Sequence, residues 1–452
     1  MNRYWFQAAL LPTGWARAVC LVVSQGRICE VRCDVSPVPQ DECHAVAIPG
    51  LANVHSHTFQ RAMAGLAERA GPASDDFWTW REVMYSFVDR LAPDDVEAIA
   101  AWAFAEMLES GFTRVAEFHY LHHQPNGKPY LQLAELAIRI AAAAGETGIG
   151  LTLLPVLYSH GNFGGVPPSG AQRRFINETE RFSRLVAASH EAVRPLPGAI
   201  VGVAPHSLRA VVPPDLDRVA QLAIDGPIHI HVAEQIREVN DCLAWSGRRP
   251  VEWLLDHAAV DSRWCLVHAT HLSVSEMRGL AASGAVAGLC PVTEANLGDG
   301  IFPARDYLAA GGLFGLGTDS NVRIDASAEL AALEYSQRLQ HQQRNVLAGA
   351  PGESTGRRLF SAALHGGAQA TGISKVGLAP GYAADFLSLN VSHPSLVGRS
   401  EDALLDSWIF AGGTAAIDCV WRAGRKVVAE GRHVQRERLA TRYRETLQRL
   451  LG

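Results

Sequence analysis

Apolar residues in this chain gather into short runs near 50–57, 113–119, 149–157, 199–205, 227–232, 264–268, 285–289 and 313–318. Each run has the length of a buried strand. Between them fall stretches of helical texture, including 93–109, 130–144, 214–223, 248–258 and 273–283. Helix-start signals agree with that reading. Pro93 is followed by Asp94 and Asp95, and Ser273 precedes Glu276 at the capping-box spacing. Strand and helix alternating eight times predict an α/β chain closed into a (β/α)8 barrel of parallel strands.

The flanks have a different texture. Up to Ile48 the chain reads as short strands broken by turn signals such as Gln25-Gly26 and Ser36-Pro37. Beyond the eighth run, helical sequence covers 328–345 and 355–371. Strand texture then returns from Gly377 to Leu387 and from Ala415 to Trp421. The expected organisation is a barrel over 49–375 and a small β domain built from both chain ends, 1–48 and 376–452. The closing stretch 434–451 predicts an amphipathic helix with its charges in solvent.

Composition narrows the function classes. The chain has 452 residues, 48% of them hydrophobic, enough for a large core. A net charge of −6 gives no electrostatic basis for binding nucleic acid or an anionic membrane. No run approaches the roughly 18 apolar residues of a membrane span. The eight cysteines are scattered without a Cys-x-x-Cys pair, which fits reduced thiols in a cytoplasmic protein.

The chemistry lies at the ends of the runs. His55 and His57 project from one side of a strand, and two imidazoles aimed at one point make half a metal site. Similar residues close later runs: His206, His231 with Glu234 three residues on, His268, and Asp319. Barrel enzymes collect their reactive groups at these C-terminal strand ends. Other polar residues have simpler readings. His229 faces as His231 does but one layer deeper, as a core histidine with a satisfied hydrogen bond. His119, His122 and His123 follow the second strand at the surface, and Trp264 and Cys265 serve packing.

The segment Pro49-Gly50-Leu51-Ala52-Asn53-Val54-His55-Ser56-His57 and the stretch Gly377–Asp385 resemble signatures of the amidohydrolase superfamily. The resemblance implies a distorted (β/α)8 barrel with a metal-activated water. Two-metal members carry a bridging lysine on the fourth strand; here that strand, Ile200 to His206, has none. The resemblance therefore implies one divalent metal, zinc or iron, on His55, His57, His231 and Asp319. Asp319 and His268 would accept or orient the water's proton, and Glu234 would carry protons to a departing nitrogen.

Around the expected mouth lie Gln60, Arg81, Tyr120 and Arg209. Two guanidiniums beside a cationic metal call for an anion between them, and a dicarboxylate suits both. The run Asn53 to Arg61, the Trp78-Thr79-Trp80-Arg81 segment and Asp319 to Arg323 are similar to the N-formimidoyl-L-glutamate deiminase family of histidine degradation. That similarity implies that Arg81, Tyr120 and Arg209 hold the glutamate carboxylates with help from Gln60, and that His206 contacts the substrate near its amidine. The products would be N-formyl-L-glutamate and ammonia. A purine or adenosine-derivative aminohydrolase, stacking its ring on Phe163 or Trp78, is the alternative within this chemistry. A non-catalytic scaffold and an amide or lactam hydrolase stand further off. The expected partners are the small anionic substrate and, at most, a second copy of the chain in a homodimer. The segments 75–90 and 159–175 are candidate lids.

Overall fold

A computed structural model describes residues 1–71 and 75–452. The chain opens with β1 (Asn2–Leu11), β2 (Gly14–Ser24), β3 (Arg27–Arg32) and β4 (Glu42–Pro49). One residue later the barrel begins with β5 (Leu51–Ser56), followed by β6 (Phe112–His119) and β7 (Gly150–Leu157). Next come β8 (Ile200–Val201), β9 (Ala204–Pro205), β10 (Ile228–Val232), β11 (Trp264–His268), β12 (Val286–Leu289) and β13 (Leu313–Leu316). The chain ends through β14 (Phe386–Leu389), β15 (Ile417–Arg422), β16 (Arg425–Ala429) and β17 (Arg432–His433).

The barrel strands pair in parallel in the order β10-β11-β12-β13-β5-β6-β7-β8. Parallel bridges Val203–Ile228 and Ser207–His231 close the circle. The expected fourth strand, 199–205, is split into β8 and β9. Both halves pair with β7 in one register, Thr152–Ile200 before the break and Val156–Ala204 after it, while at the break Gly202 donates to Leu153 and Val203 to Pro227. The eighth run stops short at Leu316. Beyond it, Thr318 and Asp319 both donate their backbone N–H to the His55 carbonyl.

Two further helices belong to the barrel. Thr179–Val193 and Ile236–Ser246 have no side-chain N-cap bond. The start signals that marked the 273–283 helix are therefore missing from both.

The small sheet interleaves the two chain ends in the order β17-β16-β15-β14-β4-β1-β2-β3. The β14 strand lies antiparallel to β4, which is itself parallel to β1. Its core is aromatic: Phe386 stacks on Trp421 with ring centres 4.8 Å apart, and Tyr4 meets both edge-on.

The terminal helix Arg436–Leu451 corrects an expectation. Its charges are not simply a solvated face. Arg436, Arg442 and Arg449 pair with Glu109, Glu97 and Asp95 on α2 (Pro93–Glu109), and Tyr443 stacks on Trp102. The reason is geometric, because α2 presents a row of carboxylates facing that helix.

Helix Thr355–Ala370 packs directly on β13. A Cβ built on Gly366 would stand 2.0 Å from the Phe314 carbonyl oxygen, so backbone meets backbone. Gly366→Ala is therefore expected to cost about 1–3 kcal/mol, because the contact cannot relax by a rotamer change. Gly170→Ala, which meets nothing within 4 Å, is the matched control. Urea denaturation midpoints of the two variants check this.

Candidate metal centre and active site

Three imidazoles and one carboxylate converge where β5, β10 and β13 end. His55 Nε2 lies 3.2 Å from His57 Nε2, 3.0 Å from His231 Nε2 and 3.2 Å from Asp319 Oδ1, and His57 Nε2 is 3.3 Å from the same oxygen. Four donors around a tetrahedral ion with bonds of roughly 2.0–2.1 Å are separated by about 3.3 Å. The spacing fits a small divalent metal. The ring orientations fit as well: His57 Nδ1 meets the Phe118 carbonyl at 2.9 Å and His231 Nδ1 meets the His206 carbonyl at 3.1 Å. Those carbonyls take the Nδ1 protons and leave each Nε2 lone pair facing the cluster. Burial also pushes these imidazoles toward the neutral form, His55 down to about 3. Burial works against Asp319, but the bond from His55 and the charge of His57 hold its carboxyl well below the usual carboxylate range.

The backbone around these groups is strained. Ala233, His268 and Asp319 adopt φ of +55°, +68° and +42°, the left-handed region that costs a non-glycine residue energy. A polar seam between β5 and the end of β13 holds Asp319 in place. Asn53 donates to Thr318 Oγ1 at 2.7 Å, Thr318 donates to Asn321 Oδ1 at 2.6 Å, and Asn321 donates to Ser56 Oγ and the Asp319 carbonyl at 3.1 Å. Gly317 permits the approach, because a Cβ there would stand 2.8 Å from the His55 Cβ.

His268 stands beside this cluster in a different setting. Its ring stacks on His231 with centres 5.6 Å apart, while Nε2 faces Glu234 at 3.8 Å and Nδ1 faces Glu294 at 3.3 Å. Burial opposes its charge, but these carboxylates carry its pKa up to about 10. Burial pushes the Glu234 carboxyl up to about 7. Asp299, held by Gln235, is pushed up by burial and by the charge of Glu234. His268 lies within 4.8 Å of Glu234 and Asp299 on one side and of His55, His231 and Asp319 on the other, and so links the two groups.

A small cavity of about 50 Å³ collects the expected residues. Gln60, Arg81, Tyr120, His206, Arg209, Glu234, His268 and Asp319 all line it beside His57 and His231, while His55 lies beneath. The roof is α1 (Phe77–Val88), the segment expected to cover the barrel, whose Phe77, Trp80, Arg81, Met84 and Tyr85 face inward. Trp78 and Phe163, the stacking candidates for a purine, are not among the lining residues. Trp78 packs against Arg81, and Phe163 stacks on Trp245. A larger cavity of about 340 Å³ lies at the opposite end of the barrel, away from these groups.

Two guanidiniums in the catalytic cavity are incompletely partnered. Arg81 Nε and Arg209 Nε are buried with no hydrogen-bond acceptor among the described residues. The nearest carboxylate to Arg209, Glu238, is 4.0 Å away. Gln60 donates to the Tyr120 hydroxyl at 2.8 Å and leaves its own carbonyl oxygen free to accept.

The remaining histidines divide. His229 bonds the Ala370 carbonyl at 2.7 Å inside the barrel, as a core histidine does. His119, His122 and His123 correct the sequence reading, for all three are buried. Segment 170–177 covers them, with His122 and His123 donating backbone N–H to Arg174 and the His123 ring bonding Ile176. Sequence reasoning also missed Asn53, Asn321, Glu294 and Asp299. Asn321 lies two residues past Asp319, and that spacing was its only local signal.

Asn321→Ala is expected to loosen the β5–β13 seam without touching a metal donor. Metal affinity should fall about 10–100-fold, the usual effect of losing a supporting hydrogen bond. Competition with a chelator, at unchanged circular dichroism, checks this.

Residues 46–427 match the family described as "Amidohydrolase family". Residues 5–45 match "Formimidoylglutamate deiminase HutF, N-terminal domain". The chain is 50% identical to the formimidoylglutamate deiminase of Pseudomonas aeruginosa across 100% of both chains. It is 31% identical to that organism's 8-oxoguanine deaminase across 85% of each. A crystal structure of an amidohydrolase from Brucella melitensis superposes with a TM-score of 0.97 at 53% identity over 100% of both chains. With the barrel, the donor set and these similarities agreeing along its whole length, this chain belongs to the amidohydrolase family.

Proposed function

We propose that the protein hydrolyses the amidine of N-formimidoyl-L-glutamate to N-formyl-L-glutamate and ammonia in histidine degradation. The observation that carries this reading is the pair Arg81 and Arg209, whose buried Nε atoms have no acceptor among the described residues, in the same small cavity as His57, His231, Asp319 and Glu234. A cationic metal and two arginines in one pocket need a multiply charged anion. A glutamate moiety supplies two carboxylates. A purine supplies none. The likeness to the Pseudomonas aeruginosa deiminase over the full length supports the same substrate.

His55, His57, His231 and Asp319 would hold one divalent metal, and the imidazole-rich set suits zinc. When bound, such a metal lowers the pKa of a water to about 7 and so makes hydroxide available at neutral pH. Arg81 and Arg209 hold the substrate's carboxylates, with Tyr120 and Gln60 completing the grip. His206, whose Nδ1 meets Ser207 Oγ at 3.2 Å, presents the rest of its ring to the amidine.

Glu234 takes a proton from the attacking water and gives it to the amidine nitrogen. It then takes the proton of the newly bonded hydroxyl to the same nitrogen, which leaves as ammonia. A carboxyl with a pKa near 7 suits both halves of that exchange. His268, flanked by Glu234 and Glu294, fixes the orientation of Glu234. Among the described residues no helix is long and apolar enough to cross a membrane, and all eight cysteines are free thiols, which supports a cytoplasmic setting.

Glu234→Gln keeps the shape but removes the titrating oxygen. Its kcat should fall by about 10²-fold or more, with metal content unchanged. Near-normal turnover would show Glu234 to be structural.

Arg81→Met and Arg209→Met should each lower kcat/KM by roughly 2–5 kcal/mol, the cost of breaking a buried charge pair. Lysine at either position should restore little, because it lacks the forked geometry. A substrate with one carboxylate converted to an amide should be poor for the unaltered protein and comparatively less so for the matching methionine variant. Ammonia release compared across formimidoylglutamate, its amide, guanine and adenosine is the measurement. Equal turnover of acid and amide would end the dicarboxylate reading.

A further inference from the structure

The large cavity at the base of the barrel has the chemistry of a second anion site. It lies where the small sheet meets the N-terminal ends of the barrel strands, on the side opposite the metal donors. Four cationic side chains line it, Arg27, Arg114, Lys375 and Arg422, against one carboxylate, Asp385. At about 340 Å³ it falls within the size range of small-molecule sites.

Two of the cations are buried and face each other. Arg114 is 6% exposed and the Arg422 side chain 11%. A methyl group built on Gly198 would stand 3.8 Å from Arg422 Nη2 and 4.0 Å from Arg114 Nη2, so the guanidiniums converge on one spot. Their hydrogen-bond acceptors are neutral, and a single carboxylate, Asp385, stands near the two guanidiniums. Arg114 bonds the Leu151 and Gly198 carbonyls and the Thr152 hydroxyl, all neutral groups. Arg422 bonds the Pro197 carbonyl, and its buried Nε has no hydrogen-bond partner among the described residues. Asp385 pairs loosely with that Nε through Oδ2 at 3.7 Å while its Oδ1 accepts the Ala423 N–H, so one negative charge faces two buried positive ones. The repulsion registers in Arg114, whose pKa burial and the Arg422 charge push down to about 10. Like charges buried at this separation are costly unless an anion lies between them.

We propose that this cavity binds a small organic dianion, a phosphate monoester, with its phosphoryl oxygens on Arg114, Arg422 and Lys375. The surplus of three positive charges fits a dianion, and paired guanidiniums present the fork geometry that phosphate takes. The opposite wall is apolar, formed by Leu364, Ile373 and Val376, and accommodates the organic part. Binding there joins the small sheet, through Arg422, to the base of β6, through Thr113 and Arg114. It also reaches β5 through Ala52, three residues before His55. The site shares no residue with the catalytic cavity and does not depend on the substrate assignment.

The test is calorimetric titration of the metal-loaded full chain with phenyl phosphate, alongside its melting temperature. One molecule should bind per chain and raise the melting temperature, as any ligand specific to the folded state does. Lys375→Gln, an exposed change that leaves the core intact, and Arg422→Gln should each weaken binding about tenfold or more. Arg209→Met should leave binding unchanged, which separates this site from the catalytic one. No binding at about 10 mM, or binding lost in Arg209→Met but kept in Lys375→Gln, would overturn the proposal.

Discussion

The seam between the first and last barrel strands is the constraint on which the site depends. The β13 strand pairs with β5 at Leu316–Asn53, and the Ser56–Asp319 bridge continues the contact beyond the strand. The rest of that edge is joined by side chains, through Asn53, Thr318 and Asn321. This arrangement lets the chain after β13 leave the ladder and turn Asp319, in a left-handed conformation, against His55 and His57. A longer regular ladder would have carried Asp319 onward as a strand residue. The strain at Asp319 is held by these buried hydrogen bonds, a common feature of sites that must place groups to within fractions of an ångström.

The same end of the barrel concentrates charge that a stable fold alone would avoid. Glu234, Glu294, Asp299 and Asp319 lie close together, with His268 between them and Arg209 nearby. Burial raises Glu234 and Asp299, whereas the bond from His55 and the charge of His57 hold Asp319 ionised against it. Groups of one chemical type are thereby separated by their surroundings into an ionised carboxylate and others raised by burial, a pattern typical of catalytic sites. The unsatisfied guanidiniums of Arg81 and Arg209 belong to the same imbalance, which a bound anion would relieve.

Coverage of the site comes from outside the barrel strands. The α1 helix carries Arg81 over the mouth, and the fully buried Arg174 secures both neighbouring segments. Its guanidinium donates to the carbonyl of Val88, at the end of α1, and to that of His123. One cation thus ties the roof to the wall that buries His119, His122 and His123. On the far side the terminal helix binds α2 through arginine–carboxylate pairs, so the last residues of the chain brace a helix that packs near the turn after His57.

The sequence by itself determined the barrel and the positions of its reactive groups. Strand-length apolar runs and the period of two that places His55 with His57 are local properties, set by backbone geometry. The polar residues closing each run, from His55 to Asp319, could therefore be read before any contact was known. Only the tertiary structure decided what surrounds them. The fourth strand is interrupted at Gly202 and Val203, whose backbone bonds run to Leu153 and Pro227 on opposite sides. His119, His122 and His123 are buried because a segment some fifty residues later covers them, and the terminal helix's charges pair because α2 faces them. Asp299 carried no local pattern that set it apart, and Asn53 and Asn321 stood in recognisable runs without any sign that they would meet across the seam. Their importance arises from contacts between residues as far as 265 positions apart. Periodicity reports which way a side chain points, whereas burial, pairing and unsatisfied charge depend on what the rest of the chain brings to meet it.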